Sequence, residues 1–239
     1  MKAKLIILTI FFSSLAKGQE RDSAWIIKAY FPALSIDTGV LLPEPNLIDN
    51  EGKKRSLSEF RGKLLYIDVW TTWCGNCIAN FPRSKKLYER LQYLHLDSAI
   101  QFINICTEDS KADWEEMLRR HSPTGVNFYA TDTVLYQTWK IDAFPRYLIV
   151  DREGKIMSLD GVHLDDGLID YVLYAATKGI KPAEAVWIDY RQNKHFRIHR
   201  KYTDDAEGID YSNWFRSISP LKAKDALEER NRRLQKGNR

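Results

Sequence analysis

Asp68-Val69-Trp70-Thr71-Thr72-Trp73-Cys74-Gly75-Asn76-Cys77 joins the end of an apolar run, Leu64 to Val69, to an amphipathic segment from about Asn76 to His95. The run predicts a strand and the segment a helix, so two cysteines three positions apart fall at a strand-to-helix junction. A helix start leaves backbone N–H groups unpaired and carries partial positive charge. A thiolate there is stabilised, with a pKa of about 3.5–7.5 in such motifs. The spacing therefore predicts a redox pair rather than a structural staple. Cys74 is the expected nucleophile, and Cys77, one turn on, is close enough to attack a mixed disulfide.

Outward from the pair, the nearly continuous apolar residues Leu64–Val69 predict a central strand covered on both faces. Upstream, Leu47 to Lys53 reads as a strand ending in a turn, with Gly52 free to take a positive φ. Ser56 and Glu59 have capping-box spacing over a short helical turn, Ser56 to Phe60. Downstream, Pro82 is expected to bend the helix that follows the cysteines. Ile100–Cys106 reads as a buried strand, with Cys106 a small core residue rather than a third catalytic thiol. A helix over Lys111–Arg120, with Trp114, Met117 and Leu118 on one side, is followed by a short strand at Asn127–Tyr129 and a short helix at Val134–Trp139. Arg146–Val150 and Lys155–Leu159 predict two strands joined by Asp151-Arg152-Glu153-Gly154. Asp165–Lys178 is the last helix, stopped by Gly179. The order βαβα, then ββα, predicts an α/β fold with a central mixed β-sheet flanked by helices.

The chain has 239 residues and three cysteines. Three are too few for a disulfide-stapled scaffold, so stability must come from a core. Residues 1–18 combine a basic start, the apolar run Leu5–Leu15 and Ala16-Lys17-Gly18. That pattern predicts a signal peptide cleaved after Gly18. The apolar run is shorter than the roughly 20 residues a membrane span needs, and no cysteine stands nearby to carry a lipid. The expectation is a periplasmic or otherwise exported protein, soluble after cleavage. Residues 19–42 form an N-terminal extension whose apolar stretch, Trp25 to Ile36, is expected to be a strand or hairpin lead-in.

Net charge is +4, but its distribution is uneven: residues 180–239 hold 14 Lys and Arg against 9 Asp and Glu, and residues 19–179 hold 19 against 23. The basic character belongs to the C-terminal extension. Without an interleaved aromatic–basic sheet or zinc-finger spacing, nucleic acid is not an expected partner. The extension also carries Trp187, Tyr190, Phe196, Ile198, Tyr202, Tyr211, Trp214 and Phe215. So many aromatics predict that 187–215 packs on the domain. Ser219-Pro220 is expected to open a helix, proline being favoured at the first helical position, and the last dozen residues are expected to fray. A basic end of this kind has a membrane surface or an acidic partner as possible contacts.

Trp73-Cys74-Gly75-Asn76-Cys77 followed by Pro82, preceded by Asp68, and later Phe144-Pro145 leading into a strand, resemble the thioredoxin fold. The lead-in Pro45-Asn46-Leu47, Gly52-Lys53 and Ser56-Leu57-Ser58-Glu59-Phe60-Arg61-Gly62-Lys63, with the extra segment between Cys106 and Pro145, resembles the TlpA/ResA branch. The likeness covers residues 43–178 and makes 43–179 a thioredoxin-like domain with a family insertion, flanked by the two extensions. It implies a thiol:disulfide oxidoreductase, acting as reductant, in which Cys74 attacks client disulfides and Cys77 resolves. By the same resemblance Pro145 is cis and places Phe144 beside the sulfurs, where a client strand pairs. Asp68 is the buried carboxylate beneath the pair, its pKa raised, accepting the proton of Cys77. Trp73 shields the disulfide and packs the loop. No cofactor beyond the redox-active disulfide and no metal is implied. The partners implied are client protein thiols or disulfides and a membrane thiol–disulfide reductant donor. Three positions depart from the pattern: Asn76 stands where proline is commonest, Asn80 where ResA-type proteins carry a functional glutamate, and Phe144 is bulkier than usual before the cis proline. With Gly75 and Pro82, Asn76 and Asn80 are the positions expected to tune the loop.

Three other readings compete. Thr71-Thr72-Trp73-Cys74 fits a peroxiredoxin-like Thr-x-x-Cys, although the proline such sites place upstream is missing. Two thiolates, with His195 and His199 facing one way, are soft and borderline ligands for Cu(I), but copper-delivery proteins of this fold space their cysteines more widely and place their histidine elsewhere, so His195 and His199 read as solvated residues of the C-terminal extension. The third makes the chain a partner-binding subunit that retains a thioredoxin domain.

Overall fold

The computed structural model describes residues 38–237 apart from 109, 133, 165 and 166. The signal-peptide and Trp25–Ile36 expectations lie outside the described residues. Seven strands form one mixed sheet: β1 (Leu47–Ile48), β2 (Lys54–Arg55), β3 (Leu64–Trp70), β4 (Ile100–Cys106), β5 (Val126–Ala130), β6 (Arg146–Val150) and β7 (Ile156–Ser158). Their order across the sheet is β2-β1-β5-β4-β3-β6-β7. β3 runs parallel to β4, and β4 to β5; β6 joins β3 antiparallel. The helices are α1 (Gly75–Tyr93), α2 (Lys111–His121), α3 (Val134–Thr138), α4 (Ile169–Thr177), α5 (Pro182–His199) and α6 (Ala206–Gly237).

Every residue of β3 is buried, including Asp68, the one charged residue in its otherwise apolar run. Alternation sorts the side chains: Leu64 and Tyr66 join one core with Leu87 and Leu91 of α1, while Leu65, Ile67 and Val69 join another with Leu135 of α3 and Trp139. Trp70 meets Phe81 of α1, Trp114 of α2 and the cysteines in a third cluster at the strand's C-terminal end. The loop after β3 is therefore clamped from both ends. Upstream, the short 3-10 turn at Leu57–Phe60 carries the full capping box, and Gly52 takes φ 79° in the β1–β2 turn.

The C-terminal extension differs most from expectation. Pro182–His199 is a continuous helix whose buried residues, Ala185, Val186 and Ile188, join the core shared by α1 and α4. α6 does not start at Ser219-Pro220; it runs from Ala206 straight through Pro220. Tyr211, Trp214 and Ile218 before the proline, with Leu221 after it, pack on that same core. Their burial keeps one helix running through the proline, against a cost of about 3 kcal/mol for an interior proline. Likewise Pro82 lies inside α1 without ending it. The expected helix over Asp165–Lys178 is shorter, Ile169–Thr177. Among the described residues no helix is long and apolar enough to cross a membrane.

Candidate active site

Cys74 and Cys77 are joined as a disulfide, with S–S 2.01 Å and Cα–Cα 5.3 Å. Cys74 occupies the N-cap of α1, and the Cys77 backbone N–H donates to its Sγ at 3.1 Å. The sulfur thus takes the place of the usual capping oxygen, where the helix dipole favours negative charge. The Cys74 N–H is itself fixed by donating to the Thr71 carbonyl at 3.2 Å. Exposure is asymmetric: Cys74 retains 7% and Cys77 none. An incoming thiol or disulfide therefore meets Cys74 first.

Beside the sulfurs, the Phe144–Pro145 peptide is cis and leads into β6. Phe144 packs against the cluster that contains both cysteines. Trp73, expected to shield the disulfide and pack the loop, has its ring at the surface. It is 64% exposed, and its ring meets that of Phe144 edge-on at 5.8 Å. Gly75, Asn76 and the exposed face of Trp73 leave an open, partly aromatic rim around a nearly covered disulfide.

Asp68 lies in the central strand between Asn104 of β4 and Tyr147 of β6. It is 4% exposed, and neither carboxyl oxygen finds a hydrogen-bond partner among the described residues. Burial pushes its pKa up to about 8, against the pull of a charge on His163. In the usual carboxylate range such a group is ionised at neutral pH; here it holds a proton until the medium is mildly alkaline. The strand alternation places Asp68 on the face of Tyr66 and Trp70, the face that α1 and its cysteines cover.

Asn80, one turn beyond Cys77, is buried and bridges two elements. Its Nδ2 donates to the Tyr147 hydroxyl at 3.1 Å, and Arg83 donates to its Oδ1 at 2.8 Å. Tyr147 stacks on Tyr66 at 5.6 Å and receives the His163 ring edge-on at 5.4 Å. Tyr147 and His163 were not singled out for the site by sequence; Tyr147 reads as a core strand residue and His163 as a loop residue. Only the β3–β6 register, which sets Tyr147 opposite Asp68, reveals them.

Cys106 is fully buried, outside any disulfide, in the cluster behind the pair. Thr71 is also fully buried, and its hydroxyl has no hydrogen-bond partner among the described residues. His195 and His199 do face one way, their rings 4.4 Å apart, but on α5, and His195 Nδ1 lies 2.7 Å from the Lys201 carbonyl oxygen. Among the described residues no three His, Cys, Asp or Glu side chains come together as a metal site.

Comparison with known proteins agrees with this geometry. The Redoxin family model matches residues 30–167, more than half of the chain. The chain belongs to the Redoxin family. A thiol-disulfide oxidoreductase ResA of Bacillus subtilis (strain 168) is 28% identical over 155 residues, covering 63% of this chain and 79% of that protein. A candidate thiol-disulfide oxidoreductase of Bacteroides vulgatus, known from a crystal structure, matches with TM-score 0.51 and 25% identity over 58% of this chain and 95% of its own. A second such candidate from the same organism, solved in solution, gives TM-score 0.50 and 30% identity over 57% and 87%. The fold of this Redoxin-family chain is thioredoxin-like. The family match ends before α4, so α5 and α6 lie beyond it.

Proposed function

We propose that this chain is an exported thiol–disulfide oxidoreductase that reduces client protein disulfides. The observation that carries the reading is the asymmetric Cys74–Cys77 disulfide at the start of α1. In the dithiol form the Cys74 thiolate attacks one sulfur of a client disulfide. That forms a Cys74–client bond, breaks the client S–S bond and releases one client thiolate. Cys77 then gives its proton to Asp68 where that carboxyl is ionised, and its thiolate attacks Cys74 Sγ, displacing the second client thiolate and closing the Cys74–Cys77 bond. Two electrons pass from the cysteine pair to the client, and the pair is the only redox group the cycle uses. Trp73, Phe144 and Pro145 form the rim on which the client rests.

The direction of transfer follows the TlpA/ResA resemblance. It requires that the disulfide be returned to the dithiol by a donor, which for an exported protein is a membrane thiol–disulfide reductant. N-terminal sequencing of the secreted chain tests export: the mature protein begins at Gln19.

Reduction of insulin by dithiothreitol tests the activity. The wild-type protein accelerates it, Cys74→Ser abolishes the acceleration, and Cys77→Ser accumulates a mixed disulfide seen by mass spectrometry. Equal rates with wild type and Cys74→Ser would overturn the proposal. So would peroxide consumption far above that of free thiol with no insulin reduction.

A further inference from the structure

We propose that the C-terminal end of α6 and the first turns of α1 form a positively charged flank beside the Cys74–Cys77 rim, on which client polypeptides with acidic residues next to their own disulfide dock. That the partner is a client rests on the oxidoreductase reading above; the charged flank does not. The order of ion pairs between the two helices gives the arrangement. Arg90 meets Asp225, and Lys86 meets both Asp225 and Glu228. Glu229 comes next: its carboxyl is held below the usual range first by the bond from Arg233, then by the charges of Arg232 and of Arg83 on α1. As α6 advances, its partners on α1 step back from residue 90 to residue 83. The helices are therefore antiparallel, and α6 heads for the end of α1 that carries the disulfide. At about 1.5 Å per residue, Arg83 lies about 9 Å along the axis from Cys77, and α6 continues about 12 Å past Glu229 to Gly237. The end of α6 thus draws level with the cysteines. Arg83 also donates to Asn80, one turn beyond Cys77, at 2.8 Å.

Charge where these ends meet is one-sided. From Gly75 to Tyr88, α1 carries Arg83, Lys85 and Lys86 and no Asp or Glu. After Glu229 the chain adds Arg230, Arg232 and Arg233, all exposed, and again no Asp or Glu. The neighbouring acids are already paired, Glu228 with Lys86 at 2.8 Å and Glu229 with Arg233 and Arg232 at 3.1 and 3.4 Å. The start of α1 adds the positive pole of its dipole. On the other side of the rim, beyond Phe144, Arg146 is shared by two acids, Asp142 and Asp160. The rim is thus polarised, positive along α1 and α6 and weakly negative by the cis proline. Such a field steers an approaching acidic chain and sets the orientation in which it arrives. An anionic bilayer is the poorer fit. Interfacial binding couples cations to inserted apolar side chains, and Arg230-Asn231-Arg232-Arg233 offers none. A bilayer seated here would also cover the rim that clients must reach.

The probes are two cyclic disulfide peptides alike in sequence, with glutamates flanking the cystine in one and glutamines in the other. In single turnover with the dithiol protein in about 20 mM salt, the glutamate peptide is reduced about tenfold faster, and the ratio falls toward one in about 0.5 M salt. The triple variant Arg230→Gln, Arg232→Gln, Arg233→Gln lowers the low-salt ratio to about threefold or less. These side chains lie beyond Leu221, the last residue α6 gives to the apolar core, so the fold does not depend on them. A charge-matched control at the other end of the extension, Lys194→Gln, Arg197→Gln, Arg216→Gln, keeps the ratio. A general change in activity cancels in the ratio. A wild-type ratio near one, or the same ratio in both triple variants, overturns the inference. So does a loss of rate on both peptides alike, which would make the cations an influence on the Cys74 thiolate itself, or binding to phosphatidylglycerol vesicles that the α6 variant abolishes while the ratio stands. If neither peptide is reduced, the oxidoreductase reading falls and binding decides the flank. A labelled linear glutamate peptide with serine for cysteine then binds the oxidised α6 variant about fivefold or more weakly than the wild type and the control; equal affinities overturn it.

Discussion

Asp68 is the residue at which burial and chemistry meet most directly. Its pKa of about 8 compares with about 3.9 for an unfolded chain. Between those values the native protein holds a proton that the unfolded chain has released, so its stability is full below pH 4 and declines as pH rises through 8. The oxidised Asp68→Asn variant has no proton to lose there. Urea unfolding at pH 5 and pH 9 is expected to show the wild type losing up to roughly 4 kcal/mol more than the variant over that interval; equal losses in the two proteins would refute the assignment. The same substitution removes the acceptor for the Cys77 proton. Release of a client from the Cys74 mixed disulfide should slow by about 10²-fold or more at pH 8, where about half of Asp68 is ionised, measured in single turnover, with formation of the mixed disulfide little changed. The cysteines and Asp68 were legible in the sequence because their relation is local: one strand, one turn, one helix start. Tyr147 and His163 were not, because Tyr147 comes opposite Asp68 only through strand pairing across 79 residues and His163 meets Tyr147 only through a loop that returns to β6. Neither residue type carries a spacing that announces the contact.

At the scale of elements, legibility follows how much of each element's stability is local. The turn at Leu57–Phe60 was readable because Ser56 and Glu59 satisfy one another's backbone groups: Ser58 N–H donates to Ser56 Oγ at 3.1 Å and Ser56 N–H to Glu59 Oε1 at 2.8 Å. β3, β4 and β6 were readable from apolar runs that only a covered strand can bury. α6 was misread because Pro220 is a strong local signal for a helix start, and here tertiary burial of Tyr211, Trp214 and Ile218 overrides it. Its cost should be recoverable. Pro220 is exposed, so Pro220→Ala restores an N–H toward the Arg216 carbonyl without disturbing the core. The gain is expected to be about 1–3 kcal/mol, seen as a melting temperature higher by about 2–4 °C per kcal/mol. An unchanged or lower melting temperature would mean that the proline sits in a kink the helix requires.

For the whole molecule, the question is whether α5 and α6 are an appendage or part of the core. The Redoxin match stops at residue 167, yet the largest core cluster draws Val186 and Ile188 from α5 and Tyr211, Trp214 and Ile218 from α6. Tyr171 of α4 packs its ring 4.8 Å from both Tyr211 and Trp214. Charge follows the same seam. Asp170, buried in α4, is bonded by Arg90 of α1 at 2.7 Å and by Lys222 of α6 at 3.1 Å. Arg90 reaches on to Asp225, and Lys86 of α1 to Asp225 and Glu228 at 3.0 and 2.8 Å. The C-terminal helix therefore grips the helix that carries Cys74 and Cys77, by apolar contact along α4 and by ion pairs along α1. Partly exposed pairs of this kind contribute little each; the apolar side chains, at about 1.5–3 kcal/mol apiece when fully buried, are the larger effect. A chain ending at Gly179 would expose the Tyr171 face of α4 and leave Arg90 with Asp170 as its one remaining acid of the two. Even after the ordering entropy of two helices is offset, a loss of several kcal/mol remains, which lowers the melting temperature by about 10 °C. Calorimetry on the full chain and the truncated chain decides it. A truncated protein that melts where the full chain does would show that the aromatic seam adds no net stability, and that α5 and α6 serve something other than the fold.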